Sequence, residues 1–323
     1  MRSSILIAAL ASCAAALTIQ NPKIDTSAPS DVSVRHSGFS ATPAHLIANV
    51  THFDCGTNIS HASDHFLATV HQLHTSGDLS PPHFPTHLSR RAPSTINVDL
   101  YFHIVTKSSS AGTITSSMVS QQLAQLQLDY KPHGIAFTLR NTSFTANDAW
   151  AIGATPADDT AMKSALRQGT YSALNIYFQT DLSGGVLGRC TLPTNVGFQP
   201  NPATYVADGC NIAAQTMPGG STYGYNMGKT AVHETGHWLG LLHTFEGYSC
   251  QGSGDYIVDT PQEAQSTDGC PTSPWKNTCA TARVGVDPIH NFMDYSTDAC
   301  YTRFTLGQEG RIRSLWPMYR QGK

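Results

Sequence analysis

The chain has 323 residues, of which 40% are hydrophobic, and its 19 basic and 22 acidic side chains leave a net charge of −3. This length and composition are typical of a globular protein with one or two domains. A charge so close to neutral offers no basic surface to nucleic acid and no polybasic segment to a membrane, so neither is expected as a partner. The sequence therefore predicts a function that depends on a specific site.

The N-terminus carries Arg2, then an apolar run, then small residues at 14–16. This order is typical of a secretory signal peptide, and the run is shorter than the roughly 20 apolar residues that a membrane-spanning helix needs. We expect residues 1–17 to be removed and the mature protein to be secreted, extracellular, soluble and monomeric. A retained membrane anchor is the alternative.

Residues 18–91 are rich in Ser, Thr, Pro and His and end at Arg90–Arg91. A dibasic pair at a change of composition predicts a processing site, although such pairs also occur by chance. We therefore divide the chain into a signal peptide at 1–17, a propeptide at 18–91 and a folded domain at 92–323.

The first half of the folded domain shows regular spacings of apolar residues. We expect strands at 96–106, 135–144 and 172–180. Helices are expected from about 116 to the stop at Pro132 and Gly134, and from 158 to Gly169. The order strand, helix, strand, helix, strand predicts a mixed sheet backed by helices. Further on we expect short strands at 196–199 and 203–206, a helix at 229–239 and a last helix near 305–315.

The helix at 229–239 contains His233, Glu234 and His237. Residues four apart lie on one face of a helix, so both imidazoles can bind one ion. Zinc takes neutral imidazoles, and a catalytic zinc keeps one position for water. Glu234 would lie beside that position and could take a proton from the water, as in H-E-x-x-H zinc peptidases.

A third ligand is expected at His243. In a continuous helix it would lie about 15 Å along the axis from His233, too far to share the metal. Gly240 removes this difficulty, because glycine adopts positive φ freely and can end the helix. Histidines that only pack a core helix are the alternative, which explains neither Glu234 nor Gly240.

The string H-E-x-x-H-x-x-G-x-x-H resembles the metzincins, whose site includes a methionine-containing turn beneath the zinc. Such a turn has a candidate in Met293, about fifty residues after His243. The wording NFMDYS around Met293 and DYIVDTP at 255–261 resembles the pappalysin, or cytophagalysin, family, including ulilysin and secreted fungal-type extracellular metalloproteases. The resemblance covers roughly residues 95–318.

The resemblance implies zinc binding by the three histidines, general-base catalysis by Glu234 and an apolar floor at Met293. Tyr295 would hydrogen-bond the tetrahedral intermediate or lie near the metal, and a packed aromatic is the alternative. The implied fold is an α+β metzincin-type zincin. Its upper subdomain has a twisted mixed sheet, a backing helix and the active-site helix. Its lower subdomain is irregular and disulfide-stapled, with the methionine turn and a C-terminal helix, and substrate binds between the two.

Six cysteines lie in the last 134 residues, which in an exported chain suggests three disulfides whose pairing the sequence leaves open. The resemblance implies the pairs Cys250–Cys279 and Cys270–Cys300, with Cys190–Cys210 left over. Three glycosylation sequons, at Asn49, Asn58 and Asn141, fit the same compartment.

Cys55 has no partner in this set and lies in the segment expected to be removed. A free thiolate is a good zinc ligand and could take the position of the water in the precursor, as cysteine switches do in other metzincins. The sequence Cys-Gly-Thr resembles pappalysin-family precursors. Intermolecular pairing and a buried thiol are the alternatives.

Calcium is a second candidate metal. Relatives of ulilysin bind it in the loop after the third histidine, where this chain has Asp255, Asp259, Thr260 and Glu263. Calcium takes six to eight oxygens. The alternative is that these side chains are only solvated.

Together these features predict a secreted zinc metalloendopeptidase that acts on proteins and peptides and is made as a latent zymogen. A catalytically idle metzincin-fold protein used for binding or adhesion is the alternative. Such a protein would be expected to lack Glu234 or part of the ligand set.

Overall fold

The computed structural model describes residues 52–76, 94–197, 201–281 and 285–323. Five strands in these ranges form one sheet with the order β2-β1-β3-β5-β4. Its strands are β1 (Ile96–Thr106), β2 (Ile135–Ala146), β3 (Leu174–Gln179), β4 (Gly188–Cys190) and β5 (Cys210–Ala213). Neighbouring strands are parallel except for β4, which runs antiparallel to β5. The mixed sheet and its first three strands confirm the sequence prediction.

The N-terminal segment contributes helix α1 (Asp64–Ser76), and the connections between the first strands contain three helices. They are α2 (Ser116–Tyr130), α3 (Asp148–Ile152) and α4 (Pro156–Leu166). Helix α4 begins at a capping box, in which the side chains of Thr155 and Asp158 each accept a bond from the other residue's backbone. It ends at Leu166, three residues before the predicted stop at Gly169, because Arg167 leaves the helical conformation.

The predicted strand at 203–206 is wrong, because these residues belong to helix α5 (Pro202–Ala207). The side chain of Asn201 accepts a bond from the backbone N–H of Ala203, and Pro202 occupies the first turn, so both start signals of a helix are present. Residues 196 and 197 are not in a strand, and 198–199 lie outside the described residues.

Helix α6 (Lys229–Trp238) packs beneath the sheet, and its side chains from Thr230 to Trp238 are buried. Tyr130 at the end of α2 donates a hydrogen bond of 2.8 Å to the carbonyl of Val232. The core between them consists of inward residues of β1, such as Phe102 and Ile104, together with α2 and α6. This core fixes the face of α6 that is turned toward β4.

Residues 239–305 contain no helix and no extended strand in the part that the structure describes, and they lead into α7 (Leu306–Tyr319). Two disulfides, Cys250–Cys279 and Cys270–Cys300, tie these loops together. A third, Cys190–Cys210, joins paired residues of β4 and β5. These are the pairs that the resemblance implies.

The N-terminal segment 52–76 lies against both parts of the fold. Cys55 pairs in parallel with Gly188 of β4, so the segment extends the edge of the sheet. Phe66 and Val70 of α1 then pack against Leu242 and Leu315. None of the helices in the described ranges is long and apolar enough to cross a membrane.

Candidate active site and metal centre

The three histidines of the motif converge at the C-terminal half of α6. The Nε2 atom of His237 lies 3.1 Å from Nε2 of His233 and 3.1 Å from Nε2 of His243. All three side chains are buried. Together with the sulfur of Cys55, they offer four ligand atoms within 4.8 Å of one another.

The other ring nitrogens show which lone pairs are free. Nδ1 of His233 lies 2.7 Å from the carbonyl of Phe292, and Nδ1 of His237 lies 2.9 Å from that of Leu241. Each Nδ1 therefore carries the proton and donates it, which leaves Nε2 as a bare lone pair.

Charge on the imidazoles is also disfavoured. Burial, followed by the neighbouring histidines, lowers the pKa of His233 and of His237, and burial lowers the pKa of His243 to about 3. Nε2 of His237 lies 3.1 Å from Nε2 of each of the other two histidines, and neutral nitrogens this close repel unless a cation lies among them. The donor set fits a metal ion that accepts neutral imidazole, such as zinc.

Gly240 makes the return of the chain possible. Its φ is +97°, and its N–H bonds back to the carbonyl of His237 at 2.9 Å. A Cβ at this position would lie 2.3 Å from Cδ1 of Leu315 in α7. Both the backbone angle and the close approach require glycine, and the turn brings His243 back to the two helical histidines.

Glu234 lies beside the histidines with its carboxyl group turned toward β4. Its Oε2 accepts a hydrogen bond of 3.2 Å from the hydroxyl of Thr57, and its Oε1 has no hydrogen-bond partner among the described residues. Burial raises the pKa of Glu234 to about 8, partly offset by the neighbouring Cys55 and Thr57. A Cβ on Gly188 would lie 2.6 Å from this carboxyl group, so β4 can approach Glu234 only because residue 188 is glycine.

Met293 and Tyr295 lie on the opposite side of the histidines. Met293 is fully buried, and a Cβ on Gly236 of α6 would lie 2.5 Å from its sulfur. The hydroxyl of Tyr295 lies 3.3 Å from Nε2 of His243. It also lies 3.2 Å from the backbone nitrogen of Cys55, which donates to it. Tyr295 is therefore near the centre, and Met293 lies beneath α6.

Cys55 reaches the histidines from the N-terminal segment. The segment is held by hydrogen bonds from Gly56 N to Gly188 O and from Leu187 N to Asp54 O, both 2.8 Å. Burial, and then the charge of Glu234, raise the pKa of the Cys55 thiol. A cation among the imidazoles opposes both effects, because it favours the thiolate.

Of the residues considered for calcium, Asp259 and Glu263 are engaged with other groups, whereas Oδ2 of Asp255 and Oγ1 of Thr260 have no hydrogen-bond partner among the described residues. The carboxylate of Asp259 accepts bonds of 2.8 Å from Thr305 Oγ1 and Gly307 N at the start of α7. Glu263 accepts a bond of 2.5 Å from the ammonium of Lys276. Burial raises the pKa of Asp255 to about 7, opposed first by the charge of Arg311. Calcium at Asp255, Asp259 and Thr260 stays a prediction.

Three residues that touch the centre were not among the predicted site residues: Thr57, Gly188 and Gly236. Gly236 could have been found from sequence, because a glycine inside a buried helix indicates close approach of another segment. In the sequence, Thr57 stands out only as the last residue of the Cys-Gly-Thr motif. Gly188 gives no local signal, since its role depends on the approach of Glu234.

A mixed sheet above a helix with two histidines one turn apart, a third histidine after a glycine turn and a methionine below defines a metzincin-type metalloprotease. Residues 158–316 match the family model of M43 peptidases, described as pregnancy-associated plasma protein-A. The chain belongs to this family, the pappalysins.

Relatives and solved structures agree with this assignment. An extracellular metalloprotease of Neurospora crassa is 44% identical over 87% of this chain and 94% of its own length. Extracellular metalloprotease 1 of Coccidioides posadasii is 47% identical over 71% of this chain and 79% of its own. Mature mirolysin of Tannerella forsythia, solved with a cleaved peptide, matches 70% of this chain and 93% of its own at 28% identity and a TM-score of 0.59.

The precursor of the same bacterial enzyme, promirolysin, matches a larger part of the chain. It covers 81% of this chain and 93% of its own, at 25% identity and a TM-score of 0.63. The chain is thus a metalloprotease, a hydrolase of peptide bonds, and its family implies a metal.

Proposed function

We propose that the chain is the precursor of a secreted zinc metalloendopeptidase that hydrolyses peptide bonds within proteins and peptides. The observation that carries this proposal is the convergence of three neutral imidazoles beside a buried carboxyl group, with Nε2 of His237 3.1 Å from Nε2 of each of the other two. The names of the fungal relatives support an extracellular location. The intact set of ligands and Glu234 argues against an idle binding protein.

The three histidines would hold the zinc through Nε2, and the carbonyls of Phe292 and Leu241 orient two of the rings. A bound zinc supplies a Lewis acid that lowers the pKa of a water molecule toward about 7 and polarises the scissile carbonyl. The burial of the site excludes bulk water from the precursor and strengthens each charge interaction.

Glu234 acts as the general base and then as the general acid. Its carboxylate takes a proton from the attacking water and delivers it to the nitrogen of the leaving amine. The Tyr295 hydroxyl, 3.3 Å from His243, lies where it can donate a hydrogen bond to the developing oxyanion. Met293 supports the underside of α6 and takes no part in proton transfer.

Latency would come from the N-terminal segment, which we assign to a propeptide at 18–91. Cys55 offers a sulfur ligand at the histidines, and Thr57 donates a hydrogen bond to Glu234, so the segment engages both the metal ligands and the base. Cleavage after Arg91 would free a catalytic domain that starts at Ala92. Removal of residues 1–17 on export would precede it.

Replacing Glu234 with Gln tests the role of the base. The amide cannot take a proton, so we expect kcat to fall by at least about 100-fold. Zinc content, measured by mass spectrometry, should stay at the wild-type level because the histidines are unchanged. Glu309→Gln is the matched control, since this glutamate pairs with Arg313 on α7. Activity of more than a few per cent in E234Q would contradict the assignment.

Replacing Cys55 with Ala tests latency. In a chain whose processing is blocked by R90A and R91A, we expect C55A to cleave a peptide substrate while the parent chain stays inactive. Ser60→Ala, in the same segment, serves as the control. If the unprocessed C55A chain is as inactive as its parent, Cys55 is not the inhibitory ligand.

A further inference from the structure

A polar cavity lies at β4, between the N-terminal segment and residues of α4 and β5. Its volume is about 350 Å³, and its floor is formed by Asp159, Lys163, Arg189 and Asn211. Thr57, Asn58 and His61 of the N-terminal segment form one wall. Removal of the propeptide would therefore take away one wall of this cavity.

The guanidinium of Arg189 is the group with unused binding capacity. Arginine carries five N–H donors. In the described parts of the chain, the single polar contact of the Arg189 guanidinium is an ion pair of 3.8 Å with Asp159, a distance too long for a hydrogen bond. The side chain keeps 31% of its surface exposed. Its donors are thus available to a ligand.

Asp159 is better satisfied by other partners than by Arg189. It accepts a bond of 2.7 Å from Asn211 and pairs with the buried ammonium of Lys163 at 3.1 Å. The cavity therefore contains two cationic side chains and one carboxylate whose oxygens already have closer partners. This arrangement favours an anionic ligand.

The N-terminal segment shows how a bound strand meets Arg189. Cys55 pairs with Gly188 and projects toward the histidines, and the next residue, Gly56, faces Arg189. A Cβ at position 56 would lie 3.2 Å from Cβ of Arg189. Successive side chains of a strand point to opposite sides. A substrate strand on β4 would therefore direct a side chain near the cleaved bond toward Arg189, where the precursor has only a glycine.

We propose that Arg189, supported by Lys163, forms a subsite for an acidic side chain of the substrate within three residues of the cleaved bond. This inference rests on the proposed peptidase function and names the substrate class that the cleft favours. An extended peptide with Asp or Glu at this position gains a charge-assisted hydrogen bond that the propeptide does not make.

The test uses mature enzyme obtained by processing of the full chain. A fluorogenic peptide that the enzyme cleaves is varied to Glu, Gln or Lys at each of three positions on either side of the cleaved bond. At one of these positions we expect kcat/KM for Glu to exceed that for Lys by about tenfold, mainly through KM. In R189Q this ratio should fall toward one, and in R189E it should invert.

Arg140→Gln is the control, because Arg140 is half exposed on β2, where it pairs with Asp99. This variant should keep the wild-type ratio. The ratio in the wild-type enzyme should also fall as salt is raised, a measurement that needs no variant.

A ratio near one at all six positions, or a ratio that R189Q or salt leaves unchanged, would overturn the subsite while the peptidase function stands. If the mature enzyme cleaves no peptide at all, the proposed function and the subsite fail together.

Discussion

The upper and lower parts of this molecule are stabilised by different means. The upper part is a five-stranded sheet with helices, and its strand β1 contributes buried apolar residues such as Leu100 and Phe102. The lower part, residues 239–305, has no such ladder in its described ranges and depends on two disulfides and buried charges. The three converging histidines lie where the two parts meet. Apolar periodicity shapes one wall of the cleft, and individual polar contacts shape the other.

A partly buried lysine paired with two buried carboxylates shows how the lower part is organised. Lys276 lies 2.5 Å from Glu263 and 3.1 Å from Asp287, and both carboxylates are fully buried. The other oxygen of Glu263 accepts a bond of 2.8 Å from the hydroxyl of Thr244, which follows His243. The backbone N–H of Thr244 donates in turn to the carbonyl of Met293 at 3.2 Å. Thr244, the residue after the third histidine, is thus joined to the methionine turn through its backbone, and to the Glu263–Lys276 pair through its hydroxyl.

We expect Lys276→Met to give the largest loss of stability. The change leaves two buried carboxylates without their cation, which costs about 4 kcal/mol. For a domain of this size the melting temperature should fall by roughly 10 °C. Lys107→Met is the matched control in the upper part, since its pair with Asp181 is about one-third exposed and such pairs contribute about 0–1 kcal/mol. Equal losses in the two variants would show that the lower part does not depend on buried charge.

Gly240→Ala tests the turn that joins the end of α6 to His243, where the upper and lower parts meet. The new Cβ would approach Leu315 to 2.3 Å in a backbone with φ of +97°. We expect a loss of about 2–3 kcal/mol and weaker zinc binding, because the turn that returns His243 would shift. Gly252 has the same φ of +97° but no heavy atom near a Cβ, so G252A should cost only about 1 kcal/mol and keep zinc affinity. Similar effects at both positions would mean that strain alone, without the contact to α7, explains them.

The two parts also differ in what the sequence could predict. Strands β1 to β3 were found from their apolar patterns, whereas β4 and β5 were missed because strands of three or four residues are defined by their partners. The β-branched and aromatic residues of helix α5 predict a strand, whereas Asn201 and Pro202 are start signals of a helix. In this region side-chain propensity and capping disagree, and the chain adopts the helix that the capping residues favour.

The sequence of the lower part has no regular spacing of apolar residues, so the positions of its loops could not be predicted. Its histidine, glycine and methionine were nevertheless picked out, because a metal imposes strict spacing on the chain that binds it. Lys276 was not found, since its ion pairs with Glu263 and Asp287 join residues that no local pattern relates. Sequence reasoning thus named residues that the structure brings together and missed the contacts that position them.

Two buried aspartates at opposite ends of α6 allow a finer comparison. Asp298, from the lower part, accepts a bond of 2.7 Å from Met227 N and one of 3.4 Å from Lys229 N at the start of α6. Burial raises its pKa to about 7 in spite of these bonds. Asp208, in the upper part, contacts Arg320 at 2.8 Å and Arg167 at 3.1 Å. Burial acts to raise its pKa as well, but the two arginines outweigh it and the net change is downward.

The signs of these shifts predict opposite pH dependence. Between about pH 4 and pH 7 the unfolded chain loses the proton of Asp298 before the folded chain does, so its contribution to stability falls as pH rises. The stability of D298N relative to the wild type should therefore rise by about 1 kcal/mol per pH unit across this window. The contribution of Asp208 is present above about pH 4 and is lost only as the pH falls further, so the defect of D208N should be constant from pH 5 to pH 8. Urea unfolding of both variants over this range measures the two slopes. A flat D298N curve would show that Asp298 is ionised throughout and that the start of α6 satisfies its charge, as the arginines do for Asp208.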